Sequence, residues 1–142
     1  MRQHDRGNTG FSETRGAFEN GKIGVNYLSE KPLHYTVDEV PTDPVIKRYT
    51  DGGSLRQCLF VIASREEFSP EVAENLAIAR FYEELSDRFE ALSEKGTLPH
   101  FENPKIVPYR LEALSTGYLL SNDERTARFQ IQCRLVYRRE YI

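Results

Sequence analysis

Arg128, Gln130, Gln132, Arg134 and Arg138 recur at even positions of "TARFQIQCRLVYRRE", and Arg110 and Glu112 recur the same way in "IVPYRLEA". Side chains two apart share one face of a strand, so both runs would present a row of guanidinium, amide and carboxylate groups. Such a face can hold phosphates or a carboxylate-bearing neighbour, and a sheet that binds RNA presents one. An RNA-binding sheet also needs aromatic platforms on that face. Phe129 and Tyr137 fall at odd positions, which leaves Tyr118 as the one candidate. The row therefore reads first as a solvated face, with a protein interface as its main competitor, because Arg is enriched at interfaces and Gln can satisfy neighbouring polar groups.

The remaining reactive residue types make no constellation. His4, His34 and His100 are scattered, and none stands at a metal-ligand spacing from Cys or a carboxylate. Glu66, Glu67, Glu71, Glu74, Glu83, Glu84 and Glu90 are numerous, but their spacing puts most of them on the outward side of an amphipathic helix. Acid and base catalysis needs two carboxyls in differing environments within one pocket, and nothing in the spacing supplies that. Asp51, Gly52, Gly53 and Ser54 stand between two β-rich runs and so make a hairpin turn, where a phosphate-cradling loop would lead from a strand into a helix. We expect no enzyme, no metal and no cofactor. Cys58 and Cys133 lie inside apolar strand patterns and read as small buried hydrophobes in a reducing compartment.

These residues need elements to carry them. The last run has Ala127, Phe129, Ile131, Cys133, Leu135 and Tyr137 on its other side, a period of two that predicts a strand with one face on a core. Tyr109, Leu111 and Ala113 are expected on the core face of the strand before it, and the two strands pair antiparallel through the turn "SNDERT". "RYTDGGSLRQCLFVIAS" predicts a hairpin whose second strand is apolar on both faces at Leu59–Ile62, and hence central in a sheet. "KIGVNYL", "LHYTVDEV" and "VIKRYT" are short extended runs, interrupted by Pro41 and Pro44.

One helix is expected from Ser69 as N-cap to Lys95–Gly96 as stop. Val72, Leu76, Phe81, Leu85, Phe89 and Leu92 form its apolar stripe, and Glu84 and Arg88 a solvated pair on the opposite face. Residues 1–20, with Gly7, Gly10 and Gly16 among polar residues, read as a flexible or extended arm, and residues 21–142 as one domain. Strands, a helix and strands again give an α+β class: an antiparallel sheet of about four or five strands with one long amphipathic helix on one face and room for a short N-terminal one.

The whole chain sets bounds on function. Its 142 residues bury one core, not two, and its 39% hydrophobic and 29% charged content is that of an ordinary globular domain. The longest apolar run, Cys58–Ala63, is too short to cross a bilayer, and the first residues carry no secretory apolar core. A net charge of −3 argues against a dedicated nucleic-acid binder, while leaving room for transient contact with DNA.

Taken together, an extended "VNYL" start, "DGGS" before a central strand, an "N…FYEEL" helix closing with "G.LP", and the terminal hairpin "GYL….TA..QIQ..L.Y" resemble the small minor capsid proteins understood as tail terminators of long-tailed bacteriophages and prophages. The likeness runs from about Ala17 to Tyr137 and rests on order and spacing more than on any single motif. It implies a helix-on-sheet subunit that forms a ring, a hexamer, on the finished tail tube. Such a ring stops polymerisation and offers the surface to which the DNA-filled head joins.

The implied partners are further copies of the chain, the tail tube protein and the head–tail connector, with no membrane partner. The implied location is the head-proximal end of the virion tail, after assembly in the host cytoplasm. The chain departs from the pattern over Met1–Gly16, where such proteins begin with an amphipathic helix. Ring contacts or lumen would then fall to Asp51, Gly52, Gly53 and Ser54 with Arg110, Glu112, Arg128, Gln130, Gln132, Arg134 and Arg138. Two alternatives stand beside this: a head-side connector, adaptor or tail completion protein, and a nucleic-acid-binding α+β module using the arginine row.

Overall fold

The computed structural model describes residues 10–19, 35–67, 72–122 and 126–140; within these, side chains are not described at 66–67, 72–78 and 121–122. The expected strand "KIGVNYL", His4 and His34 lie outside the described residues, as do the side chains of Val72, Leu76 and Ile78.

The fold is organised by its two longest period-two runs. β3 (Ser54–Glu67) and β6 (Thr126–Arg139) are each 14 residues long. They pair antiparallel along their whole length, from Ser54 opposite Arg139 to Glu67 opposite Thr126. That makes a ribbon about 45 Å long at the rise of an antiparallel strand. Shorter strands line both of its sides: β1 (Tyr35–Val40) and β2 (Val45–Arg48) follow one another along β3, and β4 (Ile106–Ala113) and β5 (Tyr118–Asn122) along β6. The sheet therefore holds six strands but is four strands wide. The expected four or five strands fall short because each edge is broken in two, by Pro41 and Pro44 on one side and by the bend Leu114–Gly117 on the other.

The turn Asp51–Gly53 does close a hairpin, between β2 and β3. Gly52 takes φ 93°, where a side chain would be strained, and Gly53 N donates to Asp51 Oδ1 at 2.8 Å. β3 is central, as its two-faced apolar pattern requires: Phe60 and Ile62 are buried on one side, Val61 and Ala63 on the other.

Both helices pack on one face. α1 (Gly10–Glu19) and α2 (Val72–Glu94) cover the sheet side carrying Cys58, Phe60 and Ile62 from β3 and Ile131, Cys133, Leu135 and Tyr137 from β6. Phe81, Leu85, Phe89 and Leu92 of α2 are buried there as their spacing demands, together with Tyr82. Phe18 of α1 meets Phe60 and Phe89 edge-on, with ring centroids 6.1 and 6.0 Å apart.

α1 corrects the expectation of a flexible or extended arm over its residues. Its buried face is Gly10, Thr14, Ala17 and Phe18, a helical spacing filled mainly by small residues. Thr14 Oγ1 donates to Gly10 O at 2.6 Å, so its hydroxyl is satisfied inside the core. Any Cβ at position 10 would overlap the Tyr137 ring, which is why glycine begins the helix.

Two further expectations fail locally. Tyr109 occupies a bulge between Pro108 and Arg110 in β4, which turns it away from the core face shared by Leu111 and Ala113 and leaves it 69% exposed. Glu84 and Arg88 do not make a solvated pair: both are half-buried, and Glu84 Oε2 and Arg88 Nε are enclosed without a hydrogen-bond partner among the described residues. No helix among the described residues is long and apolar enough to cross a membrane.

Candidate functional site

The helix-free face of the ribbon carries the even positions of β6 and the odd positions of β3. Register brings Arg134 opposite Leu59 and Glu112, Gln132 opposite Val61, Gln130 opposite Ala63 and Tyr118, and Arg128 opposite Arg65. Cross-strand neighbours on one face are within side-chain reach, so these groups must interact with one another before anything else arrives.

They do so in two clusters. In the first, Arg134 donates to Glu112 Oε2 from Nε at 2.8 Å and from Nη2 at 2.5 Å, Arg110 Nε donates to Glu112 Oε1 at 3.0 Å, and Arg134 Nη1 reaches Gln57 Oε1 at 3.4 Å. Burial alone pushes the Glu112 carboxyl up, but hydrogen bonds and charge from Arg134 and Arg110 outweigh it and leave the carboxyl below its ordinary range.

In the second, the Tyr118 hydroxyl accepts from Gln130 Nε2 at 2.7 Å and from Gln132 Nε2 at 3.2 Å. Arg128 there reaches Gln130 Oε1 at 3.4 Å and Asp38 Oδ2 at 3.5 Å. Tyr118, the one candidate stacking platform, is thus held by two amides. Val61, Ala63 and Val136 are buried on this same face, beside the stems of the long polar side chains.

The expected site residues therefore separate. Arg110, Glu112 and Arg134 come together, and so do Arg128, Gln130 and Gln132. Arg138 stands apart, paired with Glu140 at 3.1 Å. It lies opposite Leu55, at the end of the ribbon where Asp51, Gly52, Gly53 and Ser54 turn. Asp51 and Gly52 are exposed, while Gly53 and Ser54 are buried and Ser54 Oγ accepts from Arg56 Nε at 2.9 Å. Asp38, Gln57 and Glu140 are the partners that sequence reasoning missed. Only a register could have found Asp38 and Gln57, which lie on other strands, whereas Glu140 stands two residues beyond Arg138 and its spacing alone could have shown it.

A groove of about 470 Å3 runs between α2 and β4, lined by Ser86, Glu90, Ser93, Glu94, Tyr109 and Arg110 among others. Its serine nearest the sheet is already engaged: Ser93 Oγ donates to Leu111 O at 2.8 Å and accepts from Leu111 N at 2.9 Å. That pair satisfies an edge N–H of β4 and closes the edge to strand addition at this point. Among the described residues no three His, Cys, Asp or Glu side chains are grouped to hold a metal ion.

Cys58 and Cys133 are free and buried. Burial, with a small addition from Glu39, pushes the Cys58 thiol up to about 12, and burial raises Cys133 as well, so neither presents a thiolate at neutral pH. Among the described residues the helix-free side is a polar face whose groups already hold one another, flanked by two unlike edges. Comparison with family models, with curated proteins and with solved structures finds no match to the chain.

Proposed function

We propose that the chain is a structural assembly protein, a tail terminator that sits as a ring of copies on the tube of a long-tailed phage, stops its growth and offers the surface for head joining. The sequence pattern from Ala17 to Tyr137 motivates the assignment. One observation carries its physical side: a single sheet buries one face under two helices, ties up the other face in its own ion pairs and amide hydrogen bonds, and, among the described residues, has no further strand on either of its two dissimilar edges. A subunit with two different patches is what a head-to-tail ring requires.

In this reading the protein has no catalytic step. Its work is geometric, and the ring is a hexamer at the head-proximal end of the tail. The arginine face keeps each copy soluble and lines either the lumen or the outer wall. A head-side connector would share the ring but not the partner, so capture on immobilised tail tube protein, with connector protein beside it, separates the two. Retention on tube protein and shortened tubes in a polymerisation assay are expected. Retention on connector protein alone would move the chain to the head side. Binding to DNA that falls steeply with salt, in the absence of either partner, would favour the nucleic-acid alternative.

A further inference from the structure

The bulges in the edge strands share a property. Each inserts one residue without a cross-strand partner: Ile46 in β2, Tyr109 in β4 and Leu120 in β5. All three are large apolar side chains left open to solvent, Ile46 at 45% and Leu120 at 51% beside the still more open Tyr109. A bulge re-aims a side chain. Here it does so three times in the direction that costs hydrophobic burial within the chain, which points to a partner outside it.

Charge distinguishes the two edges. Ile46 is followed by Lys47 and Arg48, and Lys47 Nζ lies 5.9 Å from the centre of the Tyr49 ring. Tyr109 shares its groove with Glu90 and Glu94 of α2. All four charged residues are exposed, and the ion pairs among the described residues involve none of them. Arg110 in that groove is taken up by Glu112, and Asp43 beside β2 accepts from Val45 N, so the charge left outside ion pairs is basic beside Ile46 and acidic beside Tyr109.

Height matches too. Ile46 lies between residues paired with Arg56 and Leu55, Tyr109 between residues paired with Tyr137 and Val136, and Arg56 is opposite Tyr137 in the ribbon. The two protrusions therefore stand at one level on opposite edges of the sheet. A repeat that joins them carries no built-in rise along the strands, the condition for closing into a ring instead of climbing into a filament.

We propose that the β4 edge of one copy docks head to tail on the β2 edge of a second copy, Tyr109 with its flanking Glu90 and Glu94 meeting Ile46 with its flanking Lys47 and Arg48. The contact is made by side chains, because Ser93 on Leu111 and the bulges block continuous strand pairing. The proposal rests on the ring reading above and names its joint.

The test uses the full chain carrying Ile46→Cys and Tyr109→Cys together, treated with a short bis-maleimide both alone and with tail tubes. The native thiols are buried, so coupling reports on the introduced ones. A ladder of crosslinked species ending at one closed size is expected from the double variant, with no ladder from either single variant. Dimers from Tyr109→Cys alone would make the contact isologous and overturn the proposal.

Assembly seen by sedimentation or on tubes without crosslinking would also overturn it, while leaving the ring reading standing. A chain that stays monomeric and ignores tubes would remove both. As a second readout, Lys47→Glu with Arg48→Glu should weaken association by about tenfold, the scale of like charges brought together at an interface rim. Adding Glu90→Lys with Glu94→Lys to that chain should restore it. Failure of the four-fold reversal to restore association, with circular dichroism unchanged, would contradict the pairing.

Discussion

Removing one oxygen from α2 tests how the helix is held on the ribbon. Tyr82 is almost wholly buried, and its hydroxyl lies 2.7 Å from Ser64 Oγ on β3 and 3.1 Å from Phe129 O on β6, so one group ties the helix to both long strands. Gly117 sits directly over it; a Cβ there would come within 2.6 Å of Tyr82 Cβ, so only glycine lets the chain cross that ring. Tyr82→Phe keeps the ring and its packing against Phe81 but strips both hydrogen bonds and leaves the buried Ser64 hydroxyl without that partner.

A lost bond is worth about 1 kcal/mol and an orphaned buried hydroxyl about 1–3 kcal/mol, so a total loss of about 2–4 kcal/mol is expected. Urea unfolding would show this as a lower midpoint at unchanged slope. Tyr82→Phe with Ser64→Ala removes both partners, and its loss should fall short of the sum of the single losses by about 0.5–1.5 kcal/mol. A loss below about 0.5 kcal/mol for Tyr82→Phe, the size of an ordinary surface change, would refute the reasoning.

Three further outcomes follow from the same geometry. Ile131→Ala, on the helix-covered side of β6, should cost about 2–5 kcal/mol in urea unfolding, while Gln132→Ala one residue along should stay within about 0.5 kcal/mol. The Glu112 carboxyl is held below its unfolded value, so its contribution is present above the unfolded carboxylate range and is lost as pH falls through the folded value. Glu112→Gln should therefore flatten the acid limb of a stability-against-pH curve below the ordinary carboxylate range. Cys58 and Cys133 should resist a disulfide reagent at neutral pH until urea unfolds the chain, and fast labelling of the native protein would contradict their burial.

Elements whose register of side chains repeats strongly could be read without coordinates. Phe129, Ile131, Cys133, Leu135 and Tyr137 alternate with polar groups over the length of β6, and Phe81, Leu85, Phe89 and Leu92 follow the helical period of α2; in both, burial follows the pattern. α1 escaped because its inward face includes Gly10 and Thr14, which carry no hydrophobic signal, and because a Gly beside Tyr137 looks like a flexible residue until the ring above it is known. The bulges escaped for a different reason. A bulge is a mismatch between two paired strands, so nothing within "VPYR" or "PVIKR" distinguishes Tyr109 or Ile46 from a residue in regular alternation.

The arginine and glutamine row was legible as a face, but not as a closed network. Its partners Asp38, Gln57 and Tyr118 come from three other strands, and pairing alone decides which of them lies within reach. Glu84 and Arg88 failed in the opposite sense, because an outward position on a helical wheel does not reveal what else covers it.

In the proposed function this fold acts by assembling copies of itself on a tail tube. Electron microscopy of the purified chain mixed with tail tubes tests that most directly. Rings of one diameter seated at one end of the tubes, with tube growth arrested there, are predicted. Tubes with bare ends amid dispersed single copies, at concentrations where the chain is in excess, would contradict it.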